Sequence, residues 1–182
     1  YYGGAWKTSL VGTAGAGGRS VFAMDVTTPT SVTAASRLWE ISDLDSSLSA
    51  AIRVNIGFVL GKPVIVPILS SNGTVTWKAV FGNGYNSASG KAVLFLVDIK
   101  TGTPTVTMIE AAESGSTVSG SNGLGNIVVV DRGGGPGQTP RVRDGYADTV
   151  YAADPKGAIW KFDLLNPPTR LTAPRFHSRT HV

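Results

Sequence analysis

The sequence predicts an all-β fold: a partial β-propeller with about three units, each a sheet of four antiparallel strands. Three observations support this class. Short apolar segments alternate with turn residues along most of the 182 residues, which include 23 glycines and 10 prolines. Helical periodicity is scarce. One strand pattern occurs three times: an aromatic residue, then aspartate three positions later, then directly a β-branched residue or leucine. Such recurrence indicates a repeat architecture.

The predicted strands are short runs bounded by Gly, Pro, Asn or Asp. Segment 46–56, rich in Ser and Ala, is interpreted as either a short helical turn or a loop. The Asn72-Gly73 pair predicts a tight type I′ hairpin, because both central residues of that turn need positive φ. The strands are expected at 6–13, 20–26, Arg37–Ser42, Val64–Leu69, 75–81, 91–99, 105–109, Ile127–Val130, 149–152 and 158–164.

The repeated strand pattern covers residues 22–25, 95–98 and 160–163, and each copy ends in aspartate just before a turn. One such sheet cannot cover both of its own faces, so neighbouring sheets must stack on it. We expect each repeated aspartate to accept backbone N–H groups of the turn that follows. We also expect the tryptophans to pack between sheets. The residues concerned are Asp25, Asp98 and Asp163, and Trp6, Trp39, Trp77 and Trp160.

Composition argues against several classes of catalytic site. The chain contains no cysteine, so it has no disulfide, thiolate metal site or cysteine nucleophile. Its two histidines, His177 and His181, both lie near the C-terminal end, where they do not suggest an acyl-transfer triad. The glycine-rich segment 12–19 lacks the Gly-Lys-Ser/Thr ending and leads into a strand. We interpret it as a loop between strands. The sequence therefore predicts a protein that is not an enzyme.

The charge is unevenly distributed along the chain. We divide the sequence into a partial propeller, residues 1–165, and a basic, proline-containing tail, residues 166–182. The tail carries three arginines and no acid, so the rest is near neutral although the net charge is +4. No nucleic-acid partner is expected, because no aromatic residues are interleaved with the basic ones. No apolar run is long enough to span a membrane. The sequence starts without a signal peptide, which suggests a fragment.

The sequence segments that make up the repeat also resemble those of a known family. Residues 6–165 are similar, in order and spacing, to the C-terminal β-propeller domain of the PilC/PilY family of type IV pilus tip-associated adhesins and biogenesis factors. The most specific segment is 80–87, which contains FGNGYNS. The other segments that carry the resemblance are 10–29, 38–40, 94–102, 122–124 and 151–164.

The resemblance implies an exported bacterial protein at the pilus tip, outer membrane or cell surface. There it would support pilus assembly, adhesion and twitching motility. Its partners would be pilus tip components such as minor pilins, together with host or abiotic surfaces.

The resemblance also implies a calcium loop between the Asn-Gly-Leu segment and the strand at 149–152. Asp131 matches the first acid of that loop and Asp148 its last, with Asp144 as a further candidate ligand. The middle acids are missing, and an insertion with Arg132, Arg141 and Arg143 stands in their place. Calcium takes about six to eight oxygen ligands. We therefore expect that this loop is degenerate and binds no cofactor. Asp131 and Asp148 would then pair with the arginines or cap turns. The alternative is that the loop binds calcium through Asp131, Asp144 and Asp148.

Two rival interpretations remain at this point. The Asp98-to-Gly102 turn resembles the turns with Asp, Thr and Gly in the propellers of quinoprotein dehydrogenases. Those enzymes hold pyrroloquinoline quinone and calcium. About three units are too few for the centre of such a propeller, since closed propellers have about four to eight. A generic propeller scaffold with another partner is the other alternative.

Overall fold

The computed structural model describes residues 5–70, 72–100, 102–111, 121–133 and 143–164. The predicted tail, with His177 and His181, lies outside this part of the chain. Within it, ten strands form three antiparallel sheets. They are β1 (Ser9–Thr13), β2 (Ser20–Asp25), β3 (Arg37–Ser42), β4 (Val64–Leu69), β5 (Val75–Gly82), β6 (Val93–Asp98), β7 (Val106–Glu110), β8 (Ile127–Val130), β9 (Thr149–Ala153) and β10 (Ile159–Asp163).

Each sheet is a run of consecutive strands. Sheet 1 is β1-β2-β3, sheet 2 is β4-β5-β6-β7, and sheet 3 is β8-β9-β10. Strands that follow one another along the chain are therefore hydrogen-bonded neighbours, as in a propeller blade. This arrangement confirms the predicted all-β partial propeller of three units. Sheet 2 has the expected four strands, whereas sheets 1 and 3 have three each among the described residues.

Sheet 2 is buried on both faces. In β6, Val93, Phe95 and Val97 belong to a first core shared with sheet 1, whereas Leu94 and Leu96 belong to a second core shared with sheet 3. These side chains alternate between the two faces because a strand has a period of two. Burial on both faces explains why β6 is continuously apolar instead of alternating with polar residues.

Three of the four tryptophans pack as predicted. Trp39 lies in the first core, Trp77 packs against it, and Trp160 lies in the second core. The indole Nε1–H of Trp39 also donates to the Asp98 carbonyl oxygen at 2.9 Å, which joins sheet 1 to sheet 2. The prediction is wrong for Trp6, which is 82% exposed. It precedes β1, outside the sheets whose stacking buries the other three.

The hairpin between β4 and β5 forms as predicted, but the type I′ prediction is wrong. The loop spans residues 70–74, and the Gly73 N–H donates to the Ser70 carbonyl at 2.9 Å. Gly73 has a φ of +80°, whereas Asn72 does not have positive φ. The Asn72 side chain instead accepts the Thr74 N–H at 3.0 Å. The asparagine therefore caps the turn with its amide oxygen.

Segment 46–56 contains one helix, α1 (Ala50–Asn55), which is shorter than the whole segment. Ser49 precedes it, and the Ser49 hydroxyl accepts the Ile52 N–H at 3.4 Å as an N-cap. No helix in the described ranges is long and apolar enough to cross a membrane.

A buried asparagine ties together loops from distant parts of the chain. Asn83 is fully buried at the end of β5. Its Nδ2 donates to the carbonyl oxygens of Asn55 and Lys91, each at 2.8 Å. Its Oδ1 accepts the N–H groups of Val93 at 3.0 Å and Leu124 at 2.9 Å. One side chain therefore satisfies four backbone groups from three segments.

Candidate functional site

The predicted calcium loop connects two paired strands. Asp131 directly follows β8 and Asp148 directly precedes β9. Because Val130 pairs with Thr149 across these antiparallel strands, the two ends of the loop lie side by side. Residues 134–142, and Arg141 with them, fall outside the described residues.

Asp131 closes the loop on itself. Its Oδ1 accepts the Gly133 N–H at 2.9 Å, and its Oδ2 accepts the Gly145 N–H at 2.8 Å. Both glycines have positive φ, +71° at Gly133 and +85° at Gly145, a conformation that glycine adopts at little cost. One carboxylate thus holds both ends of the insertion together.

The two other candidate ligands also bind backbone groups. Asp144 Oδ1 accepts the Tyr146 N–H at 3.0 Å. Asp148 is 6% exposed, and its Oδ2 accepts the Arg132 N–H at 2.9 Å. The bond from Arg132 comes from its backbone, not from its guanidinium group. All three aspartates therefore accept backbone N–H groups within the described residues, and for Asp131 and Asp148 this agrees with turn capping, one of the alternatives to calcium.

A second buried carboxylate was missed by sequence analysis. Asp154 follows β9 and is 8% exposed. Its Oδ2 accepts the Asn122 Nδ2–H at 3.0 Å and the Trp160 indole N–H at 2.9 Å. Its Oδ1 accepts the N–H groups of Lys156 and Ala158. The only available signal was its position between a strand and Pro-Lys-Gly, which is typical of a capped turn.

The sequence matches the family model of the PilY1 beta-propeller domain over residues 1–177. This chain belongs to that family. It is 42% identical to a type IV pilus biogenesis factor PilY1 homologue of Xylella fastidiosa over an alignment of 170 residues, which covers 90% of this chain and 10% of that protein. It is 39% identical to the PilY1 of Pseudomonas aeruginosa strain UCBPP-PA14, over 91% of this chain and 12% of that protein.

A solved structure supports the same assignment. The crystal structure of the Pseudomonas aeruginosa PilY1 C-terminal domain aligns with a TM-score of 0.69 and 34% identity. The alignment covers 90% of this chain and 28% of that chain. The present sequence thus spans about a tenth of the length of its full-length PilY1 relatives and over a quarter of the solved domain.

The described residues of the loop, 131–133 and 143–148, leave few carboxylate oxygens of this PilY1-family chain without a hydrogen bond. Of the six carboxylate oxygens on Asp131, Asp144 and Asp148, four already accept backbone N–H groups. The described residues contain no group of three acids or histidines placed to hold a metal ion. One observation favours a metal ion, because Asp148 Oδ1 is buried and has no hydrogen-bond partner in the part of the chain that the structure describes. Calcium takes about six to eight oxygen ligands, so this oxygen and the other described residues do not by themselves make a complete calcium site.

The repeated aspartates of this family member differ in role. The prediction of turn capping is confirmed at Asp25, whose Oδ1 accepts the Thr27 N–H at 2.9 Å. The hydrogen bonds of Thr27 lower the pKa of Asp25 to about 2, helped by Lys7. At Asp98 the carboxylate instead forms ion pairs with the ammonium groups of Lys78 and Lys100. The aspartate of the same sequence pattern therefore caps a turn in one repeat and forms ion pairs in another.

Proposed function

We propose that this chain is a non-enzymatic module of a type IV pilus biogenesis factor. The observation that carries the proposal is identity of 34–42% with PilY1 proteins over about nine-tenths of the chain. In this role it supports pilus assembly, adhesion and twitching motility. It acts at the pilus tip, outer membrane or cell surface of a bacterium that exports it, in contact with minor pilins and with host or abiotic surfaces.

The hydrogen bonding of the buried polar residues supports a scaffold role. The side-chain amide of Asn83 forms hydrogen bonds with four backbone groups. The Asp154 carboxylate accepts four hydrogen bonds, two from side chains and two from backbone N–H groups. Buried polar groups that are satisfied in this way specify the fold. A catalytic acid or base would need a polar atom directed at a substrate.

A chimera tests the proposal directly. The matching segment of Pseudomonas aeruginosa PilY1 is replaced by residues 5–164 of this chain, in cells that lack their own copy. We expect surface pili and twitching zones to return to at least about half of the wild-type level. A parallel chimera with Asn83→Ala should fail, since its propeller is destabilised. A stable, exported chimera without surface pili would contradict the proposal.

Adhesion is measured separately from assembly. Cells with the chimera are compared with wild-type cells at equal numbers of surface pili, on abiotic surfaces and on epithelial cells. Equal attachment is expected. Normal piliation with lost attachment would confine the role of this segment to assembly.

The enzyme alternative is tested by adding pyrroloquinoline quinone and calcium to the purified chain. Cofactor absorbance and alcohol oxidation would overturn the non-enzymatic assignment.

The loop between β8 and β9 works without calcium in this proposal. Asp131 supplies the closure that a metal ion would otherwise supply, because it binds the N–H groups of Gly133 and Gly145 from both sides of the insertion. The positive φ of the two glycines lets their N–H groups reach one carboxylate. Arg132, next to Asp131 in the sequence, adds a positive charge to the loop.

Titration calorimetry with calcium chloride tests this loop. We expect no saturable heat with the unmodified chain and no rise in its melting temperature. The control is Asp45→Ala, which removes another aspartate that caps a turn, at Ser47, far from the loop in sequence. Micromolar binding that is retained in Asp45→Ala and lost in Asp131→Ala would show that the loop holds calcium.

A further inference from the structure

The sequence contains three asparagines that are each followed by glycine, and all three pairs lie in the described part of the chain. They are Asn72-Gly73, Asn83-Gly84 and Asn122-Gly123. Such a pair is chemically labile, because glycine has no side chain to keep its backbone nitrogen away from the asparagine side-chain amide. Attack by that nitrogen releases ammonia, and water then opens the ring that has formed. Since the dipeptide is the same at all three places, its surroundings decide which asparagine reacts.

The fold holds the side chains of two of these asparagines in place. Asn83 is 0% exposed, and its amide forms hydrogen bonds with four backbone groups. Asn122 is 4% exposed, and its Nδ2 donates to the buried carboxylate of Asp154 at 3.0 Å. Loss of ammonia from either amide would break these bonds in the interior, where the groups left behind have little access to water.

The backbone that follows these two asparagines is also closely packed. A Cβ at Gly84 would overlap the Phe58 carbonyl oxygen, and one at Gly123 would overlap the Gly84 carbonyl oxygen. Ring formation requires the peptide group between asparagine and glycine to rotate, and close-packed neighbours oppose that rotation. Asn83 and Asn122 are therefore protected in the folded chain.

Asn72 lies in open surroundings. It is exposed in the hairpin between β4 and β5, and nothing lies within 4 Å of a Cβ built on Gly73. Sheet 2, which carries this hairpin, already packs against a sheet on each of its faces. The Gly73 N–H donates to the Ser70 carbonyl at 2.9 Å, and this bond has to open before the nitrogen can react. An exposed loop opens at a lower free-energy cost than buried backbone.

The Asn72 side chain is already folded towards the nitrogen that would attack it. Its Oδ1 accepts the Thr74 N–H at 3.0 Å, so the side chain lies over the backbone of the intervening Gly73. The same hydrogen bond draws electrons from the side-chain carbonyl, which makes Cγ more electrophilic. The bond that caps the hairpin therefore also prepares the side chain for attack.

We propose that Asn72 is a site of spontaneous deamidation. The Gly73 nitrogen forms a bond to Cγ of Asn72, the Cγ–Nδ2 bond breaks, and Nδ2 leaves as ammonia with the proton from Gly73. Water then cleaves one of the two C–N bonds of the cyclic imide, which leaves aspartate or isoaspartate at position 72. Each event adds a negative charge and lowers the formal net charge from +4 to +3. Isoaspartate also lengthens the backbone by one carbon atom at the tip of the hairpin.

Incubation of the folded chain in water enriched in heavy oxygen tests the proposal. The buffer is mildly alkaline, which favours loss of the Gly73 amide proton, and the peptides are then analysed by mass spectrometry. Heavy oxygen enters only the molecules that react during the incubation, so earlier conversion is not counted. We expect Asn72 to convert at least about 10-fold faster than Asn83 or Asn122, because the buried pairs react only after a larger opening. In urea, which unfolds the chain, the three should convert at comparable rates.

Asn72→Ser is the matched control. The serine hydroxyl can still accept the Thr74 N–H, as it does in other turns, but serine has no amide to lose. Ion-exchange chromatography should show a more acidic species that grows with time in the unmodified chain and far more slowly in this variant. Conversion of Asn83 or Asn122 as fast as that of Asn72 in the folded chain would overturn the proposal. So would an intact Asn72 in the folded chain after all three asparagines have reacted in urea.

Discussion

At the scale of single residues, the buried Asn83 side chain joins three segments of the chain by hydrogen bonds. Asn83→Ala leaves the carbonyls of Asn55 and Lys91 and the N–H groups of Val93 and Leu124 without these partners. Each unsatisfied buried group costs about 1–3 kcal/mol. We expect the free energy of unfolding to fall by about 3 kcal/mol or more, measured by urea denaturation.

Asn55→Ala is the matched control for this prediction. The Asn55 side chain makes an exposed bond to the Ala51 carbonyl, while its backbone carbonyl remains available to Asn83. We expect a loss of about 1 kcal/mol or less, because the substitution removes one exposed hydrogen bond and leaves the bonds of Asn83 in place. Equal effects of the two substitutions would contradict the role assigned to the Asn83 amide.

Asp25 makes the stability of the fold depend on pH, which gives a second prediction at the residue scale. Its pKa is lowered from 3.8 to about 2 by hydrogen bonds from Thr27 and by Lys7. Because the folded pKa is below the unfolded one, Asp25 stabilises the fold above pH 3.8, and this contribution is lost as the pH falls through about 2. Carboxyl NMR titration should give a value near 2, and Thr27→Ala should raise it towards 3.8. An unchanged pKa in that variant would contradict Thr27 as the main cause.

At the scale of elements, the loops around Asn83 cross so closely that glycine is required. A Cβ at Gly123 would overlap the carbonyl oxygen of Gly84, which is backbone and cannot rotate aside. Gly123→Ala should therefore destabilise the fold by about 3 kcal/mol, at the upper end for overpacking. In Gly17→Ala nothing lies within 4 Å of the new Cβ, so this variant should keep its denaturation midpoint within experimental error. Full stability in Gly123→Ala would show that the loops separate easily.

The strands themselves could be predicted because their signals are local. In β6 a run of apolar residues bounded by Gly90 and Gly102 was enough to indicate a strand, and the pattern ending at Asp25 indicated a capped turn. The role of Asn83 could not be predicted in this way. Its partners are set by loops that approach from residues 55 and 124, and no pattern near residue 83 specifies them.

The candidate site shows the same limit. The spacing of Asp131 and Asp148 around a strand pair could be read from the sequence, and so could the missing middle acids. The sequence did not reveal that Asp131 binds Gly133 and Gly145 from both sides of the insertion. That arrangement depends on the antiparallel pairing of β8 with β9, which brings the two ends of the loop together.

At the scale of the whole molecule, sheet 2 belongs to two cores at once. Residues of β6 alternate between the core shared with sheet 1 and the core shared with sheet 3. Neither core can lose its packing without exposing one face of β6. Repeat proteins gain their stability from such contacts between neighbouring units, so we expect the three sheets to unfold together.

Substitutions in the two cores test this coupling. Ile41→Ala removes contacts from the sheet 1 side of the first core, and Val150→Ala removes them from the sheet 3 side of the second. Each should lower the unfolding free energy by about 2–4 kcal/mol. The transition is followed by fluorescence in two backgrounds that keep either Trp39 or Trp160, with the other tryptophans changed to Phe. Because sheet 2 couples the cores, both reporters should shift together in both variants. If Ile41→Ala moved the Trp39 transition and left that of Trp160 in place, the two cores would be independent.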